Sequence, residues 1–343
     1  MIFSALSCLL FVCQLFSQQP SPSKLESAII AAHHKIETDT RSFFKNVESF
    51  IVVAKGNLAL EKYYNGAKKD SLHLIQSQTK SIVSLLMGIA IDKGYVKDEN
   101  ELVAQYFPDE FGKDDGLKLS LRIKDVLTMS AGMDWEEMLP VDDPKNDNAN
   151  MFRSGKWLQY ALTRPMAKKP FIEFKYNSGC PMMIEGIIQK TTHMTLDDFA
   201  IEYLFEPLGI KEHSWQKDST GFYHAGGGLS LKPIDMVKIG KLILAKGQWG
   251  GVQIVPESWI RKATQPYFVT TFSQYGYGYF WWVKDMMIHE HKTTKVISAQ
   301  GAGGQYLYVF PEFDLVISFT EHNYGTPLVG PFIIDHFILP SLR

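Results

Sequence analysis

The stretch SQTKSIVSLLMGIAIDKGYV, Ser77 to Val96, sets a Ser-x-x-Lys tetrad at the head of a long apolar run. Four such tetrads occur, at Ser21/Lys24, Ser42/Lys45, Ser77/Lys80 and Ser214/Lys217. Side chains at i and i+3 meet only on a helix. Ser21 stands between two prolines, Ser42 lies in a loop-like stretch, and Ser214 sits in the polar segment KEHSWQKDST. Ser77 alone is followed by residues that bury a helix: Ile82, Val83, Leu85, Leu86, Ile89 and Ala90. A serine in the first turn of a buried helix has two advantages as a nucleophile. The helix N-terminus favours developing negative charge, and the serine's own N–H can donate to an oxyanion. Lys80, one turn on, can take the hydroxyl proton if burial or a nearby positive charge lowers its pKa. The plainer alternative makes Ser77 a helix cap and Lys80 a solvated helix residue.

Lys80 needs a partner, because a lone amine must both receive and return the proton. A phenol beside an ammonium ionises more easily, and FKYNSGC places Tyr176 in a turn before a buried helix. Asn177 and Ser178 are also polar there, as an ordinary turn would be. A second oxyanion donor calls for a strand edge open to close approach. ISAQGAGGQYLYVF supplies one, read as a strand that begins with Gly301-Ala302-Gly303-Gly304. A β-bulge with no ligand is the alternative.

Around these stretches the pattern is helix, two strands, a long helical middle, three strands and a final helix. Leu25–Ile36 reads as an amphipathic helix. SFIVVAKGNLALEKYYNG reads as a hairpin turning at Lys55-Gly56-Asn57. The segment from Glu136 to Asn150 reads as a loop, and SLRIKDVLTMSAGMDW as a short helix ending at Gly132. YGYGYFWWVK, KVISAQGAGGQYLYVF and DLVISFTEHN read as the three late strands, with a helix over roughly Val329 to Leu339 closing the chain. This order predicts an α+β fold: an antiparallel sheet built from both chain ends, flanked by terminal helices, with a large helical lobe. The sheet lobe is expected from residues 48–70 and 270–343 and the helical lobe from about 71–265. A cleft between them is the natural site.

With 343 residues and 45% hydrophobic composition the chain can bury a sizeable core. Lys+Arg 35 against Asp+Glu 37, with no basic stripe, argues against a nucleic-acid partner. The apolar run Ile2–Phe16, with Ser17 near a plausible cleavage point, reads as an export signal over residues 1–17. A linker and the N-terminal helix follow over 18–47, then the main domain over 48–343. An exported protein is expected, periplasmic or extracellular, with no stable membrane span after signal removal. Cys180 would be the one cysteine of the mature chain.

At this point the sequence resembles the serine β-lactamase and penicillin-binding-protein superfamily. It is most similar to the class C-like branch of esterases, amidases, 6-aminohexanoate-dimer hydrolases and D-amino-acid peptidases. The resemblance runs from about Ser49 to the C-terminus. SQTKSIVSLLMGIAIDKGYV resembles the nucleophile helix, PFIEFKYNSGCPMMIEGII the catalytic tyrosine segment, and AQGAGGQYLYVFPEFDLVISFT the strand of the third motif. LRIKDVLTMSAGMDW, GGGLSLKPIDMVKIGKLIL and QIVPESWI are similar to further family stretches. The resemblance implies Ser77 as nucleophile with Lys80 and Tyr176 as its proton partners. It places Gly301, Asn177 and Ser178 beside the substrate and makes Ala302, or in another register Gly304, the second oxyanion donor. No metal or organic cofactor is implied.

The departures bear on substrate. The Tyr-x-Asn form ends here in Ser178, and Ala299-Gln300-Gly301 stands where Lys-Thr-Gly or His-x-Gly is usual. Without that basic residue a β-lactam carboxylate loses its anchor. The expected substrate is therefore a small uncharged ester or amide. A true β-lactamase or D,D-peptidase is the alternative, and a non-catalytic sensor of the same fold the alternative of another class. His289-Glu290-His291 reads as a hairpin tip rather than a metal site, and Cys180 as a small core residue.

Overall fold

The computed structural model describes residues 23–111, 116–270 and 274–342, so the leader at 1–17 and the tetrad serine Ser21 lie outside the described residues. Chain alternation builds the main sheet. Strand β1 (Val47–Ala54) turns through Lys55 and Gly56, both at positive φ, into β2 (Asn57–Tyr63). This is the turn geometry that suits the right-handed twist of a tight hairpin. The later strands are β3 (Phe268–Val269), β4 (Gly276–Tyr277), β5 (Trp282–His289), β6 (Lys292–Gly301), β7 (Gln305–Phe310) and β8 (Leu315–Glu321). They pair antiparallel with the first two in the order β2-β1-β8-β7-β6-β5-β4-β3. The two ends of the chain thus meet along β1 and β8, and the fold is α+β as expected.

Both faces of this sheet are buried, and the period of two decides which residue goes where. Phe50, Val52, Tyr308, Phe310, Ile317 and Phe319 pack against helix α1 (Lys24–Thr38) and the closing helical stretch that starts at Val329. Ile51, Val53, Leu307, Val309 and Val316 face the helical lobe. There α2 (Gln78–Asp92) and α5 (Pro233–Leu244) lie on the sheet, and α4 (Cys180–Thr192) packs on α2. Helix α2 is apolar enough to be buried from Gln78 to Ala90, ending as Gly94 takes φ +77°.

Four expectations need correction. KVISAQGAGGQYLYVF is two strands, not one: β6 ends at Gly301, Ala302–Gly304 form a turn, and β7 returns from Gln305. Gly303 and Gly304 stand at φ +79° and +96°, which side-chain-bearing residues rarely adopt, so the glycines make a hairpin turn instead of opening a strand. YGYGYFWWVK is also broken, turning between β4 and β5 with Phe280 at φ +59°. The expected loop over 136–150 gives way to helix α3 (Asp147–Ser154), because the Asn146 side chain accepts the Ala149 N–H at 2.9 Å and Ala149 and Met151 are buried. The short helix expected to run to Gly132 ends at Leu127, where burial of Met129 at φ +54° redirects the chain. The helical lobe also holds a small sheet that pairs His73–Leu74 and His213–Trp215 with Leu229–Leu231. Ser214 therefore lies on a strand and Ser42 opens a single 3-10 turn, which leaves Ser77 the tetrad serine on a long helix among the described residues.

Candidate active site

The chain enters α2 through a strained residue. Gln76 stands at φ +52°, and Ser77 follows in the N-cap position at φ −64°, ψ −6° with no capping hydrogen bond from its side chain. Its hydroxyl is instead free to face Lys80, whose Nζ donates to Ser77 Oγ at 2.8 Å and to the Gly226 carbonyl at 2.5 Å. Lys80 is only 1% exposed, which rules out the solvated-lysine alternative. Its Nζ also sits 4.9 Å from the centre of the Tyr176 ring. Tyr176 is half-buried, stacked on Trp282 at 6.1 Å with the planes 18° apart and set edge-on to Tyr277.

A cavity of about 600 Å³ opens over this group, lined by Ser77, Tyr176, Ser178, Gln300, Gly301 and Ala302 among others. Gly301 is required where it stands. A Cβ there would lie 2.3 Å from the Ile75 carbonyl, so the end of β6 rests directly on the backbone that leads into Ser77. Tyr324 braces the turn from the other side. Its ring covers Gly303, its hydroxyl accepts from Gln76 Nε2 at 2.8 Å, and the neighbouring Asn323 N–H donates to the Gly303 carbonyl at 2.9 Å.

Of the two registers for the second oxyanion donor, Ala302 lines the cavity with Ser77. Gly304 faces away from it: a Cβ there would meet the Glu321 carboxylate at 2.5 Å. Asn177 is also off the cavity, its Oδ1 accepting the Gly179 N–H at 2.7 Å to shape the turn before α4. Ser178 does reach the wall, held by Glu137, which accepts its N–H at 2.6 Å and its hydroxyl at 2.9 Å. Cys180 is buried at the start of α4, where burial pushes its thiol pKa up, against any nucleophilic role. His289 and His291 lie at the β5–β6 hairpin tip.

Four residues of the site escaped the sequence reading: Gln76, Glu137, His224 and Gly226. Gly226 contributes only a carbonyl, which no residue letter reveals. His224 has a 7% exposed ring that lines the cavity, and burial together with the charge of Lys80 pushes its pKa down to about 3, so it is neutral at physiological pH. Its loop is anchored by Glu185, fully buried in α4, which accepts the Tyr223 N–H and whose pKa burial raises. A polar residue ahead of the Gly226-Gly227-Gly228 run was the available signal.

The pattern of the Beta-lactamase family matches residues 47–327, which spans the sheet, α2, α4 and the glycine turn. The chain belongs to the Beta-lactamase family. As a member it is a serine hydrolase. It is 25% identical to the 6-aminohexanoate-dimer hydrolase of Paenarthrobacter ureafaciens over 79% of this chain and 71% of that protein. Salmonella relatives match over about half of this chain, which spans 44% of their length. Two solved structures share the fold. EstCE1, a hydrolase with promiscuous acyltransferase activity, gives a TM-score of 0.75 at 12% identity, covering 92% of this chain and 98% of that one. The octameric penicillin-binding protein homologue from Pyrococcus abyssi gives 0.68 at 16% identity, covering 91% and 76%. In this chain Ser77 and Tyr176 line one cavity, and Lys80 lies behind them within reach of both.

Proposed function

We propose that this protein hydrolyses an ester or amide that carries no carboxylate, through an acyl-enzyme on Ser77. The observation that carries the reading is the 2.8 Å hydrogen bond from buried Lys80 to Ser77 Oγ at the mouth of α2. Ser77 Oγ bonds to the carbonyl carbon as its proton passes to the Lys80–Tyr176 pair. The N–H groups of Ser77 and Ala302 hold the oxyanion. The tetrahedral adduct collapses, the C–O or C–N bond breaks, and the pair returns the proton to the departing alcohol or amine. Water then attacks the acyl carbon and gives its proton to the pair. Ser77 leaves reprotonated and the acyl group departs as a carboxylic acid.

The lining supports an ester or amide over a β-lactam. Among the described residues no Lys or Arg side chain lines the cavity, and Gln300 stands on the β6 edge, its Nε2 donating to Ser298 at 2.9 Å. A β-lactam carboxylate would find no cation there. Turnover of p-nitrophenyl butyrate by wild type and Ser77→Ala tests the reading. It predicts loss of turnover in the variant, and retained turnover overturns it. A chromogenic cephalosporin hydrolysed faster than the ester would favour the β-lactamase alternative.

A further inference from the structure

Part of the cavity wall carries polar atoms that the protein does not satisfy. Asn148 Oδ1 is buried with no hydrogen-bond partner, and so are both ring nitrogens of His224. Both residues line the cavity that holds Ser77. The aromatic neighbours of His224 are Phe152 at 4.6 Å and Trp157 at 5.2 Å between ring centres. Buried polar groups left without partners cost free energy and are rare in native structures. Orphans on a cavity wall point to a ligand that completes them.

These groups form one patch. Asn148 and Phe152 are four apart on α3 and so share a face, and Phe152 meets His224. A Cβ on Gly226 would lie 3.2 Å from His224 Nε2 and 3.1 Å from the Ser178 carbonyl, so both flank the same glycine. Ser178 in turn is bonded to Glu137. Glu137 accepts three hydrogen bonds, one from Trp135 Nε1 at 2.6 Å and two from Ser178. An ionised carboxylate accepts about four, so one site remains. Among the described residues Glu137 is the one carboxylate on the cavity lining, and no Lys or Arg opposes it there. Lys80, with its Nζ engaged by Ser77 and Gly226, is not part of the lining.

We infer that the wall of Glu137, Asn148, Phe152 and His224 is a subsite for a hydrogen-bond-donor group on the substrate, an ammonium or an amide N–H, and that it turns carboxylates away. The inference rests on the serine hydrolase reading above. An ammonium satisfies Glu137 and the Asn148 carbonyl and gains from the Phe152 ring face. A neutral imidazole accepts a hydrogen bond at one nitrogen and donates at the other. A carboxylate would meet Glu137 as a like charge and leave the Asn148 carbonyl unpaired.

Three p-nitrophenyl esters of trans-4-substituted cyclohexanecarboxylic acid, bearing a methyl, an amino or a carboxyl group, test this. Their shape is nearly constant and only the distal charge changes. The expected order of kcat/KM is amino, methyl, carboxyl, with roughly ten-fold or more between the first and last, the scale of one charge pair in a cleft. Glu137→Gln should compress that ratio to within about three-fold on the same basis. Because Glu137 also holds Ser178 and Trp135, Asn148→Lys at a half-buried position provides a second test and should reverse the order. A wild-type enzyme that treats the three alike or prefers the carboxyl ester overturns the inference alone, as does a ratio unchanged in both variants. Absence of Ser77-dependent turnover of all three overturns the hydrolase reading, and the inference with it.

Discussion

Lys80 Nζ lies 2.8 Å from Ser77 Oγ and reaches it from within the core, not from solvent. The lysine is buried because α2 is enclosed on every side through Ala90, and its Nζ is met by the Gly226 carbonyl and the Ser77 hydroxyl at the helix mouth. The proposed mechanism uses the pair as its proton-transfer unit, with the Tyr176 ring 4.9 Å from the same nitrogen.

Tyr176→Phe removes one oxygen from a ring that stays stacked on Trp282. If the phenol returns the proton, kcat should fall by roughly 10²–10⁴ with the melting temperature little changed. Lys80→Ala should fall at least as far, and the double variant little further, because groups acting as one unit are not additive. Near-normal turnover in Tyr176→Phe would send the search for the acid–base partner elsewhere in the cleft.

Gly301→Ala tests the contact between the β6 end and the segment that leads into Ser77. The added methyl would stand 2.3 Å from the Ile75 carbonyl, a backbone atom with little room to move. Pushing the two apart should cost about 1–3 kcal/mol of stability and, by displacing Ala302 from Ser77, on the order of 10²-fold in kcat. Urea unfolding and steady-state kinetics read the two effects, and an unchanged kcat would show that the turn does not set oxyanion geometry.

Tyr324→Phe breaks the bond from Gln76 Nε2 but keeps the ring over Gly303. Tyr324 does not line the cavity. The expected result is a several-fold lower kcat at constant KM, the signature of an effect on the transition state alone. A raised KM at constant kcat would place Tyr324 in substrate binding instead.

The parts of this molecule legible in its sequence are those where one periodicity dominates. The apolar run after Ser77 left only a buried helix, and Lys55-Gly56 left only a tight turn. The glycine run at 301–304 was read one step out. Four residues of loose backbone suit a strand edge or a turn equally, and the choice depends on Glu321, Asn323 and Tyr324, more than fifteen residues later. Glu137 and His224 were invisible as site residues because their partners, Ser178 and Phe152, come from other elements. The helix at 147–154 is short and polar, and its cap at Asn146 lies among other turn-forming residues.

Glu321 gives the molecule a pH dependence of known sign. Its carboxylate accepts from Asn323 and from the N–H groups of Val329 and Gly330, yet burial outweighs these and raises its pKa from 4.5 to about 7. Between those values the folded state binds the proton and the unfolded state has released it. Stability from this group is therefore greatest below pH 4.5 and is lost as pH rises through about 7. The shift corresponds to about 3 kcal/mol. Urea unfolding of wild type and Glu321→Gln across this range should show wild type losing ground as pH rises. A constant difference between the two would contradict the shift.

The central claim is that Ser77 carries the acyl group. A fluorophosphonate reacts with an activated serine and leaves an adduct that intact-protein and peptide mass spectrometry can place. The account predicts one adduct, on the peptide containing Ser77, with none in Ser77→Ala and a much slower appearance in Lys80→Ala. An adduct on another residue, or ester turnover by a protein whose Ser77 stays unlabelled, would contradict it.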